Sequence, residues 1–340
     1  MALRYNLRRL NCQLYIMPSR PVAFLFPGQG SQYPGIGQDL YDKHEVVRDT
    51  YREASDVLGY DIAKLSFEDP DGEINLTRFT QPVLLTHEIA CLRIFDTLTD
   101  NAITPVMAAG HSLGEYSALV AAGSLSFELG LKLVKNRGEL MSEFGEGEME
   151  ALMIDLDAAT SLAEHHYCGI AACNLPDQNV VGGRPEDLDS LVNSMAEKFP
   201  RKRSARLKTE GAFHTYYMVE AARRFRTILE QAEFKTPEIE VLSNFTGSNH
   251  DPDVDSIRSR LFLQLFNPVL WHQNLVAAGE KGVQVVIEFG GGLGKGETAA
   301  DKRPNLESIV KKAFRGSDFP PEYHAVINQQ TLEDTVAVFA

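Results

Sequence analysis

The sequence predicts an α/β protein, in which a parallel sheet flanked by helices carries a smaller inserted βαββαβ unit. Three observations point there. Compact apolar runs such as Val22–Phe26 and Val285–Phe289 have the length and composition of strands buried on both faces. Stripes of apolar residues at helical spacing separate them. Between a strand-like run (Val106–Ala109) and a helical one stands Gly110-His111-Ser112-Leu113-Gly114, a Gly-x-Ser-x-Gly sequence at a strand-to-helix turn.

Composition bounds the rest. The 340 residues are 44% hydrophobic and 24% charged, enough for a sizeable core. A net charge of −14 argues against broad binding to nucleic acid or anionic membranes. No stretch approaches the ~20 apolar residues of a membrane span. Four cysteines at irregular spacing give neither a disulfide framework nor a zinc pattern, and read as reduced cytoplasmic thiols. Residues 1–20 are basic with a short apolar patch interrupted by Arg8 and Arg9, unlike a signal peptide. They read as an N-terminal extension, or as an over-long start with Met17 the true one.

Val22–Phe26 is the first strand, stopped by Pro27-Gly28-Gln29-Gly30. A loop at a strand's carboxyl end is where open α/β sheets bind ligands. A tight turn is the plain alternative. The P-loop lysine and a full Gly-x-Gly-x-x-Gly are missing, which excludes nucleotide binding by that route. Residues 38–58 and 84–98 read as helices. At the elbow, the glycines permit a sharp turn, the Ser112 hydroxyl projects above the sheet, and the Leu113 N–H starts the next helix.

Residues 126–145 form an amphipathic helix. Leu133, Val134, Leu140 and Met141 share a face with Arg137. A cation on an apolar stripe meets an internal carboxylate, waits for a substrate carboxylate, or snorkels to the helix edge. Strands near 151–154, 169–173, 178–183 and 204–207, with helices at 158–166 and 185–199, make the ferredoxin-like βαββαβ order. The expected division is 21–148 and 212–292 for the large subdomain and 149–211 for the small one. His214 lies in a loop before a helix, one of nine histidines and not selectable by type. Ile239–Leu242 is a strand, and 255–277 reads as helical around Gln264 and Pro268. Val285–Phe289 is the last strand before Gly290-Gly291-Gly292. Residues 293–340 read as one helix near 304–314 and a tail.

Five segments taken together resemble the malonyl-CoA:acyl-carrier-protein transacylase family. They are Gly28-Gln29-Gly30-Ser31-Gln32, Gly110-His111-Ser112-Leu113-Gly114-Glu115, Arg137 twenty-five residues past the serine, Ala212-Phe213-His214-Thr215, and Gln264-x-x-Asn267-Pro268. The resemblance covers roughly residues 20–292. It implies an α/β-hydrolase-like core with the ferredoxin-like insertion. It implies Ser112 as nucleophile, His214 as base, the Gln264 carbonyl as the group orienting the histidine, and the Gln29 and Leu113 N–H groups as oxyanion hole. It assigns Arg137 to the malonyl carboxylate and places Asn174, His111 and Phe213 near the substrate. Gly290–Gly292 replaces a loop that in the family usually contains proline.

The activity implied is ping-pong transfer of malonyl from malonyl-CoA to the phosphopantetheine thiol of an acyl carrier protein, with no bound cofactor. A discrete monomeric enzyme of fatty acid or polyketide synthesis is expected. Pro200-Arg201-Lys202-Arg203, with Arg206 and Lys208, offers a basic patch for an acidic carrier, or is a solvated charge run. Competing readings are a hydrolase that strips stalled acyl groups from carriers, which has little use for Arg137, and a transferase of larger uncharged acyl chains.

Overall fold

The computed structural model describes residues 20–339, so the extension expected at the N-terminus lies, except for Arg20, outside the described residues. Among the described residues ten strands occur in this order: β1 Val22–Phe26, β2 Met107–Gly110, β3 Glu148–Leu152, β4 Gly169–Leu175, β5 Gln178–Gly183, β6 Ser204–Leu207, β7 Glu240–Ser243, β8 Ser248–Asn249, β9 Val285–Phe289 and β10 Glu322–Val326. They form two sheets.

The larger sheet has the order β10-β9-β1-β2-β7-β8, parallel except for β8. Its central strands β1, β2 and β9 are buried at every residue, which explains why they are apolar apart from Glu288 in β9. Helices Thr77–Leu98 and Gly114–Ala121 pack on it, and Phe127–Phe144 packs in turn on those helices. Phe24 packs edge-on against Phe95 and Phe289 in the core between sheet and helices.

The smaller sheet has the order β4-β5-β3-β6, antiparallel throughout. With helices Leu156–His165 and Pro185–Lys198 it encloses its own core around Leu152, Leu162, Leu188 and Leu191. This is the ferredoxin-like arrangement that the alternation of elements implied. Val269 joins the two units: its N–H donates to Ala171 at 2.9 Å and its carbonyl accepts from Cys173 at 2.8 Å.

Three element readings are corrected. Residues 38–58 are two helices, Gln38–Lys43 and Glu45–Leu58, because His44 between them is extended. The helix expected over 255–277 is also two, Val254–Gln264 and Trp271–Glu280. Pro268 cannot donate, and the chain turns there to pair with β4. The region past 293 is more than a helix and tail. After the Glu307–Ala313 helix it adds β10 to the sheet edge and a helix Gln329–Phe339. Glu322 and His324 break the apolar signal of β10, as is common on an edge strand. No helix among the described residues is long and apolar enough to cross a membrane.

Candidate active site

Ser112 stands at the carboxyl end of β2 with φ +54°, a left-handed backbone forced by the turn. The flanking glycines are required by contact: a Cβ on Gly110 would collide with the Gly114 backbone, and one on Gly114 with Phe26. Asn244 holds the turn from both sides. It accepts from the Ser112 N–H at 2.6 Å and donates from Nδ2 to the Gly110 carbonyl at 2.7 Å.

His214 Nε2 lies 2.7 Å from Ser112 Oγ, although 102 residues separate them in sequence. Its Nδ1 lies 2.7 Å from the Gln264 carbonyl oxygen. A carbonyl only accepts, so Nδ1 carries the proton and Nε2 is free to receive one. Burial, and then the Arg137 guanidinium, push the imidazole down to about 3, so the ring is neutral near pH 7.

Arg137 is 1% exposed. Nη1 donates to Gln81 Oε1 at 2.9 Å, and Nη2 to Gln264 Oε1 at 3.0 Å and to Ser112 Oγ at 3.1 Å. Its Nε has no partner, and Tyr116 lies under the guanidinium at 5.5 Å. Among the described residues no carboxylate pairs with it: every acceptor is neutral. Burial lowers its pKa, but a guanidinium stays charged. The buried Glu115 carboxylate favours the charge from behind Gln264, which bonds both side chains, but does not itself pair with the guanidinium. At that burial the Arg137 side chain does not snorkel to the helix edge.

Gln29 and Leu113 line the same cavity of about 210 Å³, and neither backbone N–H finds an acceptor among the described residues. Phe213, Met141 and Met149 also line it, as do His111 and Asn174. His111 Nε2 lies 2.9 Å from Asn174 Oδ1, and burial lowers the His111 pKa. The structure thus brings together Ser112, His214, Arg137, Gln29, Leu113, Phe213, His111 and Asn174. The Gln264 backbone stands directly behind them.

The basic patch lies apart. Arg201, Lys202 and Arg203 are exposed and line a groove of about 530 Å³ shared with Lys312 and Arg315 from the C-terminal region. Arg206 is not part of it, because its guanidinium pairs with Glu148, Glu150 and Asp189.

Several site residues escape sequence reasoning. Asn244 lies in the loop after β7 and belongs to none of the five recognisable segments. Its position just after β7, at the ligand-binding edge of the sheet, was the available signal. Glu115, fully buried, accepts from His250 Nε2 at 2.7 Å, from Gln264 Nε2 at 2.9 Å and from the Asn244 N–H at 3.0 Å. It ties together the segments that hold Ser112 and His214. Gln81 lies before the helix expected at 84–98, which in the structure begins at Thr77. Asn305, Leu306 and Ile309 line the cavity from beyond the last recognisable motif.

Comparison with known proteins places this geometry. A model of the acyl transferase domain family matches residues 23–290. The malonyl CoA-acyl carrier protein transacylase of Bacillus subtilis is 36% identical over 280 residues, 80% of this chain and 87% of that one. A polyketide biosynthesis malonyl CoA-acyl carrier protein transacylase of Bacillus velezensis, BaeC, is 37% identical over 276 residues, 80% and 93% of the two chains. Among solved structures, the malonyl CoA-acyl carrier protein transacylase from Clostridium perfringens superposes with a TM-score of 0.83 at 30% identity, over 94% and 96% of the chains. A malonyl-transacylase solved in complex with its type II PKS acyl-carrier protein has a TM-score of 0.81 at 32% identity, over 94% and 99%.

Proposed function

The chain belongs to the acyl transferase domain family, and on that premise we propose that it transfers malonyl from malonyl-CoA to the phosphopantetheine thiol of an acyl carrier protein. The relatives' activity supports this reading, as does one observation above all: Arg137 is buried beside Ser112 with no carboxylate of its own. It is the natural seat for the free carboxylate of a malonyl group, which a guanidinium can hold bidentately.

The chemistry follows from the geometry. His214 Nε2 takes the Ser112 proton as Oγ attacks the thioester carbonyl. The oxyanion that forms lies between the Gln29 and Leu113 N–H groups, and removing one such donor typically costs ~10²–10³ in rate. The intermediate collapses, the C–S bond breaks, and His214 returns the proton to the departing CoA thiolate. Malonyl remains on Ser112 as an ester. The pantetheine thiol of the carrier then enters, His214 takes its proton, and the steps reverse to regenerate the Ser112 hydroxyl. The cavity walls, Phe213 and Met141 among them, leave mainly apolar surroundings for the acyl methylene.

The carrier protein docks on the groove bearing Arg201, Lys202, Arg203, Lys312 and Arg315, whose charge opposes that of an acidic partner. In this reading the protein works as a discrete enzyme acting in trans in fatty acid or polyketide synthesis. The test is intact-protein mass spectrometry with malonyl-CoA, followed by carrier protein. Ser112 should gain one malonyl group and lose it to the carrier thiol. Loss of the group to water alone would reject transfer.

A further inference from the structure

The cavity wall formed by Asn305, Leu306 and Ile309 opens the Glu307–Ala313 helix, whose start has no side-chain cap of its own. A carboxylate from the sheet takes that place. Glu288 on β9 accepts from the Asn305 N–H at 2.7 Å with one oxygen and from the Leu306 N–H at 2.9 Å with the other. The Tyr323 hydroxyl on β10 donates to the same carboxyl group. Glu288 is fully buried, and among the described residues no cation pairs with it. A buried carboxyl is costly, and the contacts that offset the cost all lead to the cavity wall or to the strand beside it.

The intervening chain is braced as well. Leu293 and Arg303 exchange backbone hydrogen bonds at 2.9 Å, closing the loop between them. Lys302 Nζ crosses that loop to the carbonyls of Gly294 and Gly296. At its start, Gly291 packs so tightly on the Gln29 loop that a Cβ would lie 2.7 Å from Pro27 and 2.8 Å from Ser31. Residues 288–309 therefore touch the loop carrying one oxyanion donor and also supply a wall of the cavity.

Arg137 and Met141 mark the carboxylate end, on the Phe127–Phe144 helix. Leu306 and Ile309 come instead from a helix that packs against β4 and the Trp271–Glu280 helix. With the carboxylate at Arg137, the rest of the thioester leaves past the remaining walls. We propose that Glu288 is a positioning residue that pins Asn305, Leu306 and Ile309 along the path of the pantetheine arm, the part common to CoA and the carrier protein. The proposal rests on the malonyl-transfer reading and adds the residue that sets recognition of the arm.

The experiment compares loading of Ser112 from malonyl-CoA with loading from malonyl-N-acetylcysteamine, which keeps the acyl group and the sulfur but only the first amide of the arm. Glu288→Gln can no longer accept from both N–H groups. It should raise the KM for malonyl-CoA about tenfold, hold kcat within about twofold, and leave the KM for the truncated thioester unchanged. Ile309→Ala, at a half-buried position, should shift the same two constants in the same way, and it carries the test if Glu288→Gln does not fold. An equal rise for both thioesters, or no rise for either, overturns the proposal. Wild-type protein that fails to load from malonyl-CoA overturns the transfer reading, and this one with it.

Discussion

The Gln264 carbonyl oxygen lies 2.7 Å from His214 Nδ1. Gln264 ends a helix, and four positions on stands Pro268, which has no N–H to close the next helical hydrogen bond. The carbonyl is thereby left to the imidazole, where it fixes the tautomer without adding a charge. Pro268→Ala restores a competing donor. Single-turnover loading from malonyl-CoA should slow about tenfold, a change of ~1.4 kcal/mol, with substrate affinity nearly unchanged. An unchanged rate would show that other contacts hold the carbonyl in place.

The protonation state of His214 gives the second expectation. A base works only when unprotonated, and this ring is pushed down to about 3, first by burial and then by Arg137. Free-enzyme kcat/KM for loading should therefore stay flat as pH falls from 8 to about 5, where an ordinary histidine near ~6.5 would already have switched it off. Arg137→Ala removes the second of the downward pushes, leaving burial and His111, so its acid limb should move to higher pH. A wild-type limb near 6.5 would contradict the described environment.

Asn244 holds the elbow by two hydrogen bonds, to the Ser112 N–H and the Gly110 carbonyl. Asn244→Ala leaves both groups without a partner. It should cost roughly 1–3 kcal/mol of stability, read as a fall in denaturant midpoint at constant slope. It should also slow loading, because the left-handed Ser112 backbone loses its support. Full activity at reduced stability would confine Asn244 to a structural role.

Charge reversal of Arg201 and Arg203 tests the docking groove. The double variant Arg201→Glu, Arg203→Glu should raise the KM for carrier protein about tenfold and leave that for malonyl-CoA alone. In the wild type, added salt should weaken the carrier step more than the loading step. Equal effects on both substrates would place docking elsewhere.

What could be read from the sequence followed from how local each signal is. The elbow was legible because its turn chemistry lies within five residues, Gly110 to Gly114. Arg137 was legible because a cation on an apolar helical face needs an explanation wherever it occurs. His214 was not: its partner lies 102 residues away, and only the resemblance distinguished it from the other histidines. The roles of Asn244, Glu115 and Gln81 were hidden for the same reason, since buried polar residues show their purpose only when their partners do. Asn244 meets the Ser112 N–H across 132 residues of chain.

The errors in the fold also have physical causes. The break after Gln264 was signalled by Pro268, but the apolar pattern runs through it, and the pull toward β4 is a long-range contact. Strand β10 was missed because an edge strand carrying Glu322 and His324 does not look apolar. With it went the role of Glu288, whose partners at 305, 306 and 323 all lie in the stretch that showed no motif.

Malonyl selectivity depends on Arg137 being kept for the free carboxylate of the acyl group. The direct measurement is competition between malonyl-CoA and acetyl-CoA for Ser112, read by intact mass in wild-type and Arg137→Ala proteins. The wild type should carry malonyl almost alone, and the variant should lose that preference while keeping or gaining acetyl loading. An unchanged malonyl preference in the variant would contradict the account.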